Sequence, residues 1–316
     1  MQWMMNFGEA RCPKVLLNVI LFSEVWLGLS LKSFRQKKKN VDYTFHKCSK
    51  SFCLMLLQLV FLHDYHRQYF VEWDTFEVIL NDEADKNLVN DFGYTPFFVA
   101  CRYGQMRIAE FIMKKSTDLK SDLIRKANCG GTAFYKACAF GNSEIAEMLM
   151  KISKKLEIEI NTLNNTNHIA LHVACNYGRA ETAKVLMEET TTLKFDLNVQ
   201  DIQGYTAFHF ACQSGSYDIV KTMLDQPEST KLDFPLKTKR GDTGFHLACQ
   251  FDRANIVELL IDKSKYLKLD LISKNNWGVT GFQLVADKNI IDLIKSKMPS
   301  LARKRRKHRK DAILNR

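Results

Sequence analysis

The sequence predicts an all-α solenoid, a stack of short helix-turn-helix units, and three observations carry that expectation. The first is a motif that returns: GYTPFFVACRYG at 93–104, GGTAFYKACAFG at 130–141, GYTAFHFACQSG at 204–215 and GDTGFHLACQFD at 241–252. The second is register, since Gly93, Gly130, Asn167, Gly204, Gly241 and Gly278 follow one another at a constant spacing of 37 residues. The third is a second apolar run after each motif, as in Ile145, Ala146, Met148 and Leu149 or in Ile219, Val220, Met223 and Leu224. A fixed period of this kind marks stacked repeats, because one short unit cannot bury its own apolar face whereas a row of units can.

Each unit reads in order. The Gly permits a tight turn. Thr95, Thr132, Thr206, Thr243 and Thr280 stand two residues later, where a hydroxyl caps a helix start, with Ile169 the exception. Phe97, Phe134, Leu171, Phe208, Phe245 and Phe282 open an apolar face that Ala100, Ala137, Ala174, Ala211, Ala248 and the Cys after each Ala continue at helical spacing. Gly104, Gly141, Gly178 and Gly215 then stop the helix. A second helix follows, and an alternating run such as LKFDLN (193–198) suits an extended segment leading into the next turn. The sixth copy has Val285 and Ala286 in place of Ala-Cys, and its second apolar run comes three residues early, as in a terminal cap.

TAFHFAC, with a Gly two residues before its Thr and IVKTML downstream, resembles the Thr-Pro-Leu-His and Ile-Val-x-x-Leu-Leu signatures of ankyrin repeats. The resemblance covers about residues 91–297 and implies an ankyrin-type solenoid of L-shaped units, each with two antiparallel helices and a β-hairpin-like loop. Two departures stand out. The period is 37 where ankyrin repeats have about 33, which puts four extra residues in the second helix or the loop after it. The signature Pro survives only as Pro96, and Pro at a first helical turn is favourable but dispensable. The chain thus divides into an uncertain apolar segment (1–50), a helical cap (51–90), six repeats with a degenerate last copy (91–297) and a basic, disordered tail (298–316).

With 316 residues, 46% of them hydrophobic, the chain has ample core, and its formal charge of +11 is concentrated at the ends. Residues 295–316 carry +9 and residues 1–40 carry +5, and taking these from +11 leaves −3 for the rest. A body without a basic stripe does not grip nucleic acid by itself. In the tail, Arg303, Lys304, Arg305, Arg306, Lys307, Arg309 and Lys310 form a candidate nuclear-import signal, read by an import receptor, or an anion-binding tail. The same run also reads as a plain solvated charge block. Near the start, VLLNVILFSEVWLGLSL (15–31) is at the lower limit for a bilayer span and contains Asn18 and Glu24, so a membrane anchor is the less favoured reading. FCLMLLQLVFL (52–62) is too short to span and, with WDTFEVIL (73–80), suits a helical pair capping the first repeat.

His172, His209 and His246 recur at one repeat position, but ligands of one metal must converge on a point and equivalent places in a stack form a row. The resemblance implies that this His bonds the Thr and the neighbouring loop backbone. Cys101, Cys138, Cys175, Cys212 and Cys249 likewise share one position. Stacked helices lie about 8–10 Å apart, too far for a bridge between neighbours, so these read as small buried residues in a reducing compartment. There is no CxxC pair, nucleophile elbow or phosphate-cradling loop, so neither enzyme nor cofactor is expected.

The resemblance places binding on the loop tips and the exposed face of the first helices. The two residues after each Ala-Cys are Arg102 and Tyr103, Ala139 and Phe140, Asn176 and Tyr177, Gln213 and Ser214, and Gln250 and Phe251. Aromatic rings beside adaptable polar groups suit an interface, although rings here could equally seal one unit against the next. Loop-tip candidates are Phe92, Tyr94, His168, Ile202, Tyr205, Lys239, Arg240, Asp242, Asn276 and Trp277. The expected function is a non-enzymatic, cytoplasmic or nuclear scaffold or adaptor for partner proteins. The alternatives are a cytosolic domain of a membrane-anchored or channel-like protein, or a substrate receptor of a ubiquitin ligase.

Overall fold

The computed structural model of the chain describes residue 89 and residues 92–299, apart from 190–195, 228–229, 231 and 268. All of these belong to one compact unit. The apolar segment predicted over 1–50, the helical cap predicted over 51–90 apart from residue 89, and residues 300–316 of the tail predicted over 298–316 lie outside the described residues, as do the first three residues of the LKFDLN run.

Among the described residues, six helix pairs follow one another. Helix α1 (Pro96–Arg102) pairs with α2 (Met106–Lys115), after which a short α3 (Leu119–Ile124) leads to α4 (Ala133–Phe140) and α5 (Ser143–Leu156). Then come α6 (Ala170–Asn176) with α7 (Ala180–Glu188), and α8 (Ala207–Ser214) with α9 (Tyr217–Leu224). The last are α10 (Gly244–Gln250) with α11 (Ala254–Lys263), and α12 (Gly281–Leu284) with α13 (Lys288–Lys297). First helices pack on first helices along the row, and from α5 onward second helices pack on second helices. The four extra residues per period are absorbed differently from copy to copy: α5 extends to 14 residues, whereas the first copy adds α3, which packs on α4 and α5.

The helices begin where the threonines predict. Thr95 and Thr132 sit in extended backbone, and their hydroxyls accept the N–H of Phe98 (3.1 Å) and Tyr135 (3.3 Å). Gly141 and Gly215 end α4 and α8 in the left-handed region, at φ 84° and 87°. The loss of Pro after Pro96 has a packing reason in the fifth copy. A Cβ on Gly244, at that same first-turn position, would come within 2.6 Å of the Phe208 ring, so Phe208 occupies the space a Pro would need.

The core repeats with the sequence. Ala100, Ala137, Ala174, Ala211, Ala248 and the Cys after each are wholly buried, and their small size lets adjacent first helices approach closely. The large rings lock neighbouring copies together, as where Phe245 meets Phe282 edge-on with ring centres 5.0 Å apart. Burial of one such side chain contributes about 1.5–3 kcal/mol.

A second series, which no motif announced, ties each pair to the one before. Asn142, Arg179, Ser216 and Arg253 each stand just before a second helix, 37 residues apart. The Asn142 amide donates to the carbonyls of Cys101 (2.9 Å) and Arg102 (2.8 Å), which α1 leaves without helical partners. Arg179 Nε donates to Ala139 O (3.2 Å), Ser216 to Cys175 O (3.4 Å) and Arg253 Nε to Gln213 O (2.9 Å).

The sixth pair is a shortened unit, as expected. Val285 leaves the helix for extended backbone, and the Asp287 carboxylate caps α13 through Asn289 and Ile290 N–H. Asp252 stands where the earlier copies have Gly and adopts φ 54°. Its carboxylate accepts the N–H of Ala286 (3.3 Å) and Asp287 (3.1 Å), which fixes the early second helix in place.

Candidate partner-binding face

Between helix pairs the chain makes the same turn five times. Ala127 N–H bonds Gly131 O while Gly130 N–H bonds Ala127 O, and the pattern recurs at Asn164, Asp201, Thr238 and Asn275. In the last four copies the anchoring side chain also accepts two backbone N–H groups. Asp201 Oδ1, for example, takes those of Gln203 (2.8 Å) and Tyr205 (2.7 Å). One backbone bond then links each turn to the turn before it: Asn128 to Phe92, Asn165 to Cys129, Ile202 to Thr166, Lys239 to Gln203 and Asn276 to Arg240, at 2.9–3.4 Å. The turn glycine is held tightly by this ladder. Gly204 has φ +80°, and a Cβ there would lie 2.8 Å from the Lys239 nitrogen. Asn167 reaches φ 60° at the equivalent place, where Asn is among the residues that tolerate it. Among the described residues, the β-pairing in the loops is an isolated antiparallel bridge, Lys274 to Thr280.

The recurring histidines are part of this scaffold. His209 Nδ1 accepts the Thr206 backbone N–H (3.1 Å) and faces the Thr206 hydroxyl at 2.8 Å, so the nitrogen is unprotonated and the hydroxyl donates. Its Nε2 therefore carries the proton and donates to Asp242 O (3.2 Å) in the next turn. His246 repeats the arrangement toward Val279 O, and His172 toward Val199 O and Tyr205 O. Even without a threonine at 169, the Ile169 N–H still donates to His172 Nδ1 (3.1 Å). Burial pushes the pKa of His172 and His209 down to about 4, and lowers that of His246 as well. These imidazoles are neutral struts. Among the described residues, no cluster of His, Cys, Asp or Glu is arranged to hold a metal ion.

The face formed by the first helices and loop tips sorts the candidates into two groups. Phe140 (41% exposed), Tyr177 (59%) and Phe251 (40%) present rings to solvent at one position in three copies, beside exposed Asn176 and Gln250. Arg240 and Trp277 are exposed at turn tips, as expected. Gln213 is half-buried, and its carbonyl is taken by Arg253. In the fourth copy the aromatic is replaced by Ser214, whose hydroxyl bonds Cys175 O (3.0 Å), so the row of rings is interrupted by a tie between units.

Tyr94, His168, Tyr205 and Asp242 are not tips. They follow the turn glycine, or Asn167 in its place, and fold back against the stack. Tyr94 stacks on Phe98 at 4.3 Å, Tyr205 leans on His209 and Phe210, and His168 Nε2 meets the buried Asp201 carboxylate at 3.1 Å. Asp242 is buried and accepts the Asn275 amide (2.8 Å). The apices are instead the two central turn residues, which adds Asn128, Cys129, Asn165, Thr166 and Gln203 to the tip row.

Tyr103 is half-buried, its ring centre 6.2 Å from that of Phe140. Arg102 brings these groups together: its guanidinium carbon lies 4.7 Å from the Phe140 ring centre, 5.1 Å from Tyr103 and 5.7 Å from Tyr94. Lys136, absent from the candidates read off the sequence, places its ammonium 6.0 Å from Tyr94 and 5.9 Å from Tyr135. The import-signal candidates Arg303 to Lys310 lie outside the described residues, and no described helix is long and apolar enough to cross a membrane.

The family model for ankyrin repeats, with three copies, matches residues 69–164 and 154–233, together more than half of the chain. The fifth and sixth helix pairs lie beyond that match. No curated protein matches the chain.

Proposed function

Because this chain belongs to the ankyrin repeat family, whose repeats mediate protein–protein interaction, we propose that it is a non-enzymatic scaffold or adaptor. It binds partner proteins through the first-helix face and the turn tips. The observation that carries this reading is a division of labour at the C-terminal end of three first helices. Cys138, Cys175 and Cys249 are wholly buried, yet the aromatic two residues after each remains 40–59% exposed. A ring held in place by a rigid helix loses little freedom on binding, which is why such rings dominate interface energetics. Five buried cysteines in the repeat core fit a reducing compartment, the cytoplasm or the nucleus.

Site-specific photo-crosslinking in cells tests the proposal. A benzophenone amino acid replaces Tyr177 on the face or, as control, Tyr266, which is 80% exposed after α11. Discrete protein adducts at position 177 that are absent at 266 support partner binding through this face. Identical adducts at both positions, or none at 177, contradict it.

A further inference from the structure

The charges of the repeat stack are segregated by helix. Each of the six second helices contains at least one Asp or Glu, whereas none of the six first helices contains any. Two acids near the first-helix side, Asp201 and Asp242, are buried and already bonded to Tyr205 N–H and to the Asn275 amide. Several cations of the second helices are ion-paired. On the second helices Lys263 meets Asp225 at 2.8 Å, and Lys297 meets both Glu258 (2.8 Å) and Asp262 (2.7 Å). On the first helices, Arg102 and Lys136 have no carboxylate partner among the described residues, and Arg102 Nε is buried without a hydrogen bond. Both cations are gathered around one ring, that of Tyr94, at 5.7 and 6.0 Å. Two like charges drawn together in a partly desolvated site repel, and an arriving anion relieves that repulsion while supplying acceptors for the guanidinium fork.

We propose that the first-helix face of the first three pairs takes an acidic peptide segment of a partner protein. Its carboxylates sit at Arg102 and Lys136, and an apolar side chain of the same segment lies on Phe140 and Tyr177. The rings serve a second purpose here, because they hold the cations in place before the partner arrives and so lower the ordering cost of binding. The assignment rests on the binding-face reading above and adds the chemistry of the occupant.

Fluorescence anisotropy on the full-length chain tests it, with a labelled peptide of glutamates interrupted by one Leu and one Trp as the probe. Three proteins are compared: wild type, Arg102→Glu/Lys136→Glu, and a tail variant, Arg303→Gln/Arg305→Gln/Arg306→Gln, that controls for capture by the basic tail. The milder Arg102→Gln/Lys136→Gln stands in if melting shows the reversed pair to be unfolded. The expected result is a Kd raised about tenfold or more by the face variant and changed less than about twofold by the tail variant, with binding weakened by salt. The proposal is overturned if the face variant binds as well as wild type, or if binding disappears with the tail charges. It is also overturned if a Gln-for-Glu peptide binds equally, an outcome that leaves the binding-face reading intact and removes only the acidic partner. Binding of a phosphoserine version alone, with none of the glutamate peptide, overturns it as well.

Discussion

The hydroxyl of Thr206 lies 2.8 Å from Nδ1 of His209, and the far side of the same ring donates to Asp242 O in the next turn. One neutral imidazole thus joins the start of a helix to the loop of the following unit, and the sequence repeats the device at His172 and His246.

Acid should therefore loosen the stack before most carboxylates titrate. His172 and His209 have folded pKa values near 4, below the ordinary value of 6.5. The unfolded chain takes up the proton first, so their stabilisation is complete above about pH 6.5 and declines as pH falls from there toward 4. By pH 5 each contributes a loss of about 2 kcal/mol. Melting temperature measured from pH 7.5 to 5 should fall, and His209→Gln should lower it at pH 7.5 while flattening the slope. A melting temperature that is level across this range contradicts the strut role.

The stack's thiols should divide into two classes. Cys101, Cys138, Cys175 and Cys212 are wholly buried, and burial raises each thiol pKa, whereas Cys129 is exposed at a turn tip. Alkylation followed by peptide mapping should find Cys129 modified quickly and the other four only once the protein unfolds. Rapid modification of all five, or a mapped bridge between neighbouring copies, contradicts the packing.

Ties between units should be measurable singly. Asn142→Ala leaves the carbonyls of Cys101 and Arg102 without their side-chain donor. A cost of about 1–3 kcal/mol in chemical denaturation is expected. A change within about 0.5 kcal/mol would show that water replaces the amide without loss.

Much of this was legible from the repeat. The Gly-x-Thr register, the Ala-Cys core and the early sixth helix follow from residue type and period, while the bonding role of the histidines came from the resemblance to ankyrin repeats. The turn anchors were not legible, because Asn164, Asp201, Thr238 and Asn275 perform one task with three residue types, any short side-chain acceptor being sufficient. Asn142, Arg179, Ser216 and Arg253 escaped notice for the same reason: different donors reach the same carbonyls. Tyr94, His168 and Tyr205 were misplaced by proximity to the turn glycine, since the apex lies before that glycine and the residue after it already packs inward. The absence of acids from the first helices was present in the sequence, but it acquires meaning only once Arg102 and Lys136 are seen around one ring.

Truncation should act locally. Deleting residues 278–316 removes Phe282 from Phe245 and uncovers the face of α10 and α11. Stability and solubility should fall while the helical signal of the first four pairs persists, since each unit contacts only its neighbours. Loss of all helical structure on this deletion contradicts a one-dimensional stack.

The central claim is that the exposed rings serve a partner and not the fold. Its most direct test is the affinity of Phe140→Ser/Tyr177→Ser/Phe251→Ser for the protein identified by crosslinking at position 177, with melting temperature recorded on the same sample. These half-exposed positions should each change stability by no more than about 0.5 kcal/mol, so melting stays close to wild type. Binding should weaken sharply, by about 2 kcal/mol or more for each ring that is a true hot spot. A wild-type affinity, or a large fall in melting temperature that accounts for lost binding, would mean that the rings seal the stack and that the partner sits elsewhere.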